Sequence, residues 1–197
     1  LSPTEAVATA LLYGIRSETL DFKRETTPAD LTAAAYLHPF VNHDTLEQVE
    51  SPSMSPETLD VLAEAIQNRE VQGSHLVSNA GFIRDRDALG QAAQHLLKLE
   101  GITTTAVFGI SDDRIFLSAR SKDIRINIGN ILQDAFSGID EPGGHSTQGD
   151  VEIPLGIFTG IETNDDNRDT LLQLTEEAVC KKLFRAMGVD SDATNGG

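Results

Sequence analysis

Apolar positions change their period near residue 68. Before that point the spacing is helical and the elements open on capping signals. Ser2-Pro3-Thr4-Glu5 reads as a helix start, with Ser as the cap, Pro at the first helical position and Glu reaching back. This helix is predicted to run to about Tyr13, with Gly14 ending it. Thr27-Pro28-Ala29-Asp30 repeats the signal and opens a helix to about Leu37. Ser55-Pro56-Glu57 opens a third, with Leu59, Leu62, Ala63 and Ile66 on one face. A connecting region with one short helix is predicted between Pro39 and Pro56.

After residue 68 strands alternate with helices. Residues 71–83 mix β-formers with glycine, and 85–99 read as a helix with Leu89, Ala92, Ala93 and Leu96 inward. Residues 103–110 and 114–121 read as two strands joined by a turn at Asp112-Asp113. Residues 124–136 are amphipathic, and 151–161 are strand-like, broken or placed at an edge by Pro154 and Gly156. A final helix is predicted over 171–187. The pattern predicts an α/β fold: a mixed sheet flanked by helices, preceded by a helical segment. It divides the chain into a helical part over 1–68, a sheet domain over 69–188 and a disordered polar tail over 189–197.

Composition adds two constraints. The 197 residues hold 31 acidic and 15 basic side chains, a formal net charge of −16, spread along the whole chain. Dispersed acidity with few lysines points to a protein solvated for a high-salt, halophilic cytoplasm, a generic acidic protein being the alternative. Such a surface repels nucleic acid at low salt, yet at molar salt screening shortens that repulsion to a few Å and leaves room for a local basic pocket. No apolar run approaches the roughly 18 residues of a membrane span, and no signal peptide is evident, so a cytoplasmic location without membrane contact is expected. The chain starts at Leu1, without Met and already in a helical pattern, as a fragment of a longer protein would. The lone Cys180 allows no disulfide within the chain and reads as a buried structural thiol.

Three segments could carry chemistry. In Glu141-Pro142-Gly143-Gly144-His145-Ser146-Thr147-Gln148-Gly149, adjacent glycines let backbone amides crowd against an anion, and His145, Ser146 and Thr147 add donors. Taken alone, these residues read more readily as an ordinary glycine turn with a surface histidine. In Ser118-Ala119-Arg120-Ser121, Arg120 offers a planar fork for phosphate, and strand alternation puts Ser118 on its face. A solvated arginine at a strand end is the plainer alternative. In the segment from Gly14 to Phe22, Glu18 and Asp21 are oxygen ligands suited to Mn2+ or Mg2+, though two carboxylates are too few to hold a hard cation. The other histidines, His38, His43, His75 and His95, lack metal-ligand spacing, and Arg84-Asp85-Arg86-Asp87 reads as a charged helix entry.

Taken in chain order, the three segments resemble the C-terminal part of the DHH phosphoesterases, RecJ-like and nano-RNase-like proteins among them, with their associated domain. Gly14-Ile15-Arg16-Ser17-Glu18-Thr19 with Phe22 is similar to the last motif of their catalytic domain, Ser118 to Ser121 to their Ser-x-Arg-Ser strand end, and Pro142-Gly143-Gly144-His145 to their Gly-Gly-Gly-His loop. The resemblance spans about residues 8 to 160. It departs where Glu18 replaces an Asp metal ligand, Pro142 replaces the first loop glycine, and Thr147-Gln148-Gly149 replaces Ala-Ala-Gly. The early Asp-x-Asp and Asp-His-His motifs that supply most ligands of the family's metal pair have no counterpart in this sequence.

The resemblance implies a phosphoesterase using Mn2+ or Mg2+ on phosphodiester bonds, of short oligonucleotides or a cyclic dinucleotide. This chain would supply the substrate- and nucleic-acid-binding domain through Ser118, Arg120, Ser121, Gly143, Gly144 and His145, with Glu18 as one metal ligand. By itself it is expected to be inactive and to hold no metal stably. The alternatives are a non-catalytic nucleotide-binding regulatory module and an unrelated α/β domain with coincidental glycines. The sequence leaves the oligomeric state open, a homodimer included.

Overall fold

The computed structural model describes residues 2–23, 25–51, 54–137, 143–144, 147–155 and 168–189. They fall into two compact units, Leu1–Met54 and Ser55–Gly197. The division therefore lies ahead of residue 68, and the helix over 56–67 belongs with the sheet. The tail expected from residue 189 lies, beyond Val189 itself, outside the described residues.

The first unit holds helices α1 (Glu5–Glu18), α2 (Pro28–Leu37) and α3 (His43–Glu50), with a 3-10 turn at His38–Phe40. Ala8, Leu12, Ala34, Leu37, Val41 and Leu46 form its core. The Thr27 signal folds as written: Thr27 and Asp30 cap each other's backbone in a capping box. The first helix differs from expectation at both ends. Its cap is Thr4, not Ser2, and it runs through Gly14 to Glu18. A mid-helix glycine costs only about 1 kcal/mol; Ile15 beyond it packs on the core and carries the helix forward. What ends α1 is the turn after Thr19, where Leu20, Asp21 and Phe22 take φ of 47°, 57° and 61°.

The second unit is a six-stranded mixed sheet in the order β1-β2-β3-β4-β6-β5. Its strands are β1 (Arg69–Gln72), β2 (His75–Phe82), β3 (Thr104–Ser111), β4 (Arg114–Ser121), β5 (Gly143–Gly144) and β6 (Gln148–Pro154). Only β2 and β3 are parallel, joined through helix α5 (Asp87–Leu96); the other neighbours are antiparallel. Helices α4 (Pro56–Gln67) and α5 cover one face, where Leu76, Ala80 and Val107 meet Val61, Leu89 and Ala93. Helices α6 (Ile128–Ala135) and α7 (Arg168–Ala186) cover the other, where Val77, Phe108, Ile115, Leu117 and Ile153 meet Leu132, Val179 and Leu183. The alternation of 76 and 77, or 107 and 108, between the two cores is the period-2 pleat expressed in packing.

Two boundaries and one face differ from the sequence reading. Helix α6 begins at Ile128 behind an Asn127 cap, leaving Ile124 exposed. Strand β6 begins at Gln148, three residues early, and Pro154 ends it, where a missing N–H costs no ladder bond. The rest of the strand-like run, from residue 156, lies outside the described residues. On α4 the buried residues are Thr58, Val61 and Ala65, while Leu59 and Ile66 are exposed. Small side chains win the inner stripe because α4 lies close to the sheet: Ser78 on β2 donates its Oγ hydrogen bond to the Ala65 carbonyl.

Candidate functional site

Strand alternation sorts the candidate residues. On β4, Ile115, Leu117 and Ala119 point into the α6–α7 core, so Phe116, Ser118 and Arg120 share the α5 face. On β6 the pattern puts Gly149, Val151 and Ile153 inward and Gln148, Asp150 and Glu152 outward. The register then aligns the site. Ser118 lies opposite Asp150 across β4 and β6, and Gly143 lies opposite the same Asp150 across β6 and β5. Gly144 pairs with Gly149, which in turn faces Ala119. Ser118 and Arg120 on β4 and the Gly143-Gly144 backbone on β5 thus flank β6, with Asp150 between them.

A cavity of about 420 Å³ opens where the start of α5 crosses this part of the sheet, lined by Arg86, Gly90, Phe116, Ser118, Arg120 and Asp150 among others. Arg120 is only 17% exposed. Its Nη1 donates to the Ala119 carbonyl at 2.8 Å and to Asp150 Oδ1 at 3.4 Å. Ser118 Oγ donates to that same Asp150 oxygen. The guanidinium also lies close to α5 at Gly90, where a Cβ would stand 2.8 Å from Arg120 Nη2 and 3.4 Å from Ser118 Oγ. The Arg86 guanidinium sits 5.5 Å from the Phe116 ring centre. Arg114 binds Glu152 at 2.7 Å, with Arg86 at 3.9 Å from the same carboxylate. The site is therefore a cation fork on a protein wall, with a half-exposed carboxylate bound to it and an aromatic face beside it.

Ser121 does not join this group. Odd–even alternation turns it to the other face, where it is buried, within 3.1 Å of Thr104 Oγ1 and donating to the Thr103 carbonyl at 3.1 Å. It also accepts from the Asp123 amide, fastening the turn after β4. That turn holds Asp123, whose carboxyl is pulled down to about 2, first by the Arg125 side chain and then by the Arg125 amide. His145, Ser146 and Pro142 lie outside the described residues. The two glycines, read as part of a loop, pair as strand β5, and Gly143 meets Asp150 from the side of β6 opposite Ser118.

Sequence reasoning missed Asp150, Gly90 and Phe116. The signal for Gly90 was a lone glycine inside an otherwise helical stretch, which usually has a packing cause. Asp150 was hidden because its strand was started at residue 151. Arg86 was read as a charged helix entry; it is that, and it also lines the cavity.

Glu18 is exposed in the last turn of α1, in the first unit. Asp21 beside it is engaged by Arg16 at 3.0 Å and Lys23 at 3.7 Å. Among the described residues no group of three or more His, Cys, Asp or Glu is placed to hold a metal ion. The described residues thus do not by themselves fit a divalent metal pair. Cys180 is buried on α7, and its thiol pKa is pushed up by burial first and by Glu70 and Glu176 after it. No helix among the described residues is long and apolar enough to cross a membrane.

Residues 72–179 match the DHHA1 domain family. Over 193 residues, 98% of this chain, the sequence is 45% identical to the uncharacterized protein MJ1633 of Methanocaldococcus jannaschii, and the chain spans 39% of that relative's length. Among solved structures, an exopolyphosphatase-related protein from Bacteroides fragilis superposes with a TM-score of 0.63 at 12% identity, over 93% of this chain and 52% of that one.

Proposed function

This chain belongs to the DHHA1 domain family, the domain associated with DHH phosphoesterases, and from that premise we propose that it grips phosphodiester substrates, short oligonucleotides or a cyclic dinucleotide, for a metal-dependent phosphoesterase. The observation that carries this reading is a cavity lined by Ser118 and Arg120 and large enough for a nucleotide, with the Gly143-Gly144 backbone on the far side of β6 from them. The planar fork of Arg120 takes a phosphate oxygen, Ser118 Oγ donates to a second, and His145 donates from the segment that follows β5. Phe116 offers a face on which a base can stack.

The reaction belongs to the longer protein, of which this chain resembles one part. Hydrolysis would use Mn2+ or Mg2+, with Glu18 one oxygen ligand among several from elsewhere. The domain's own work is to hold the phosphate and the far end of the substrate in place, which turns a bimolecular encounter into a positioned one.

Binding tests the reading directly. Arg120→Ala and His145→Ala should each weaken binding of a short oligonucleotide, Arg120→Ala by about tenfold or more, the size of one charge-assisted hydrogen bond. Unchanged affinity in both variants removes the proposal. Incubated with a dinucleotide and Mn2+, this chain alone should bind without turnover; measured hydrolysis would show that its own residues suffice for catalysis.

A further inference from the structure

Asp150 lies at the centre of the candidate site, yet it carries the wrong sign for one. Its Oδ1 accepts from both Ser118 Oγ and Arg120 Nη1, the donors an anion would use. The cavity lining as described holds two cations, Arg86 and Arg120, against three carboxylates, Asp87, Asp150 and Glu152. A site built for a chain of phosphates needs a cation at each one; this lining has an acidic surplus. Asp150 is nevertheless 65% exposed, so its side chain can swing away from Arg120 without desolvating. It then remains a fixed negative charge within a few Å of whatever sits on the fork, because its backbone is held between β4 and β5.

We infer that Asp150 is a specificity-determining residue that filters ligands at the Arg120 fork by charge, admitting a singly charged phosphodiester and disfavouring terminal phosphomonoesters and polyphosphate. The inference rests on the proposed role of Arg120 as the phosphate contact. A diester carries one negative charge, whereas a monoester carries about 1.5 to 2 near pH 7. Each further unit of charge at about 4 Å from Asp150 corresponds to about a fivefold loss of affinity with water-like screening, and more where the protein excludes water. The filter selects the internal linkage of an oligonucleotide over its phosphorylated ends and over inorganic chains.

The test compares two ligands that differ by one methyl group and by this charge, so that only the change in their ratio is read: adenosine 5′-monophosphate and its 5′-phosphate methyl ester. Titration calorimetry on the full chain should find that the wild type prefers the methyl ester. Asp150→Asn keeps an acceptor oxygen for Ser118 and Arg120 and removes the charge. It should tighten the monophosphate about two- to fivefold more than the ester, and inorganic tripolyphosphate should gain at least as much. Asp150→Ala, which removes charge and acceptor together, should shift the ratio in the same direction, and circular dichroism checks that both variants fold. A ratio of the two affinities that is unchanged in both variants overturns the filter. Arg120→Ala separates the premise from the inference. If it weakens both ligands while the ratio ignores Asp150, the fork stands and the filter falls. If it leaves both affinities untouched, the fork falls and takes the filter with it.

Discussion

Arg120 owes its position to the absence of one carbon atom. Gly90 stands in the middle of α5, where alanine would be more favourable by about 1 kcal/mol. The Cβ of that alanine would meet Arg120 Nη2 at 2.8 Å and Ser118 Oγ at 3.4 Å. The clash falls on the far end of a flexible side chain, so the fold can relieve it by moving the guanidinium off the wall. Gly90→Ala should therefore leave the melting temperature unchanged or slightly raised, while weakening oligonucleotide binding by about tenfold, the loss of one charge-assisted contact. Thermal melting beside a binding titration checks this. A variant that loses stability and affinity together would show that Gly90 serves packing alone.

At the scale of elements, the β2 strand carries a pH dependence. His75 opens β2 next to the turn from β1, and its Nδ1 is buried without a hydrogen-bond partner among the described residues. Burial lowers its pKa from 6.5, with Asp123 pulling weakly the other way. The folded state thus binds fewer protons than the unfolded chain, so the stability it contributes is full above pH 6.5 and is lost as pH falls through the lowered value. Asp123, held down to about 2, acts in a separate window: its contribution is present above 3.8 and is lost as pH falls toward 2. His75→Gln should flatten the melting temperature between pH 6.5 and 5 and leave the fall below pH 4 in place. Equal slopes in variant and wild type across the upper window would sink the assignment.

The same scale explains what the sequence disclosed. The hairpin of β3 and β4 was legible because period-2 apolar positions flank an Asp-Asp turn, and Asp112 takes φ 53° there. Helix α5 was legible because Leu89, Ala92, Ala93 and Leu96 are its buried stripe. The inner face of α4 was not, because close packing gave it to Thr58 and Ala65 while larger residues went to solvent. Half of the site followed from alternation, which put Ser118 with Arg120. The same rule, applied one residue further, removes Ser121. The pairing of Gly143 with Asp150 was out of reach, because cross-strand register is a long-range outcome that no local pattern encodes.

Charge acts on the molecule as a whole. A formal charge of −16 on 197 residues makes the compact state repel itself, more strongly than the unfolded chain, whose charges lie farther apart. Local pairing does not reduce it: Arg114 with Glu152, Arg125 with Asp123 and Arg16 with Asp21 pair charges already counted in that balance, and exposed pairs contribute about 1 kcal/mol at most. Salt acts on the repulsion itself. The screening length falls from about 10 Å at 0.1 M to about 3 Å at 1 M, shorter than the spacing of most surface carboxylates. The melting temperature should therefore rise steeply with KCl up to about 1 M and more gently beyond, where only exclusion of salt from the surface still acts. Sucrose at matched osmolality, which does not screen, should reproduce the gentle part alone. Binding should respond in the opposite way from that of a basic nucleic-acid-binding protein: added salt removes repulsion between the acidic surface and an oligonucleotide, so affinity should hold or rise between 0.1 and about 1 M KCl instead of falling. A steep loss of affinity over that range would mean that cations outside the Arg120 cavity dominate the contact.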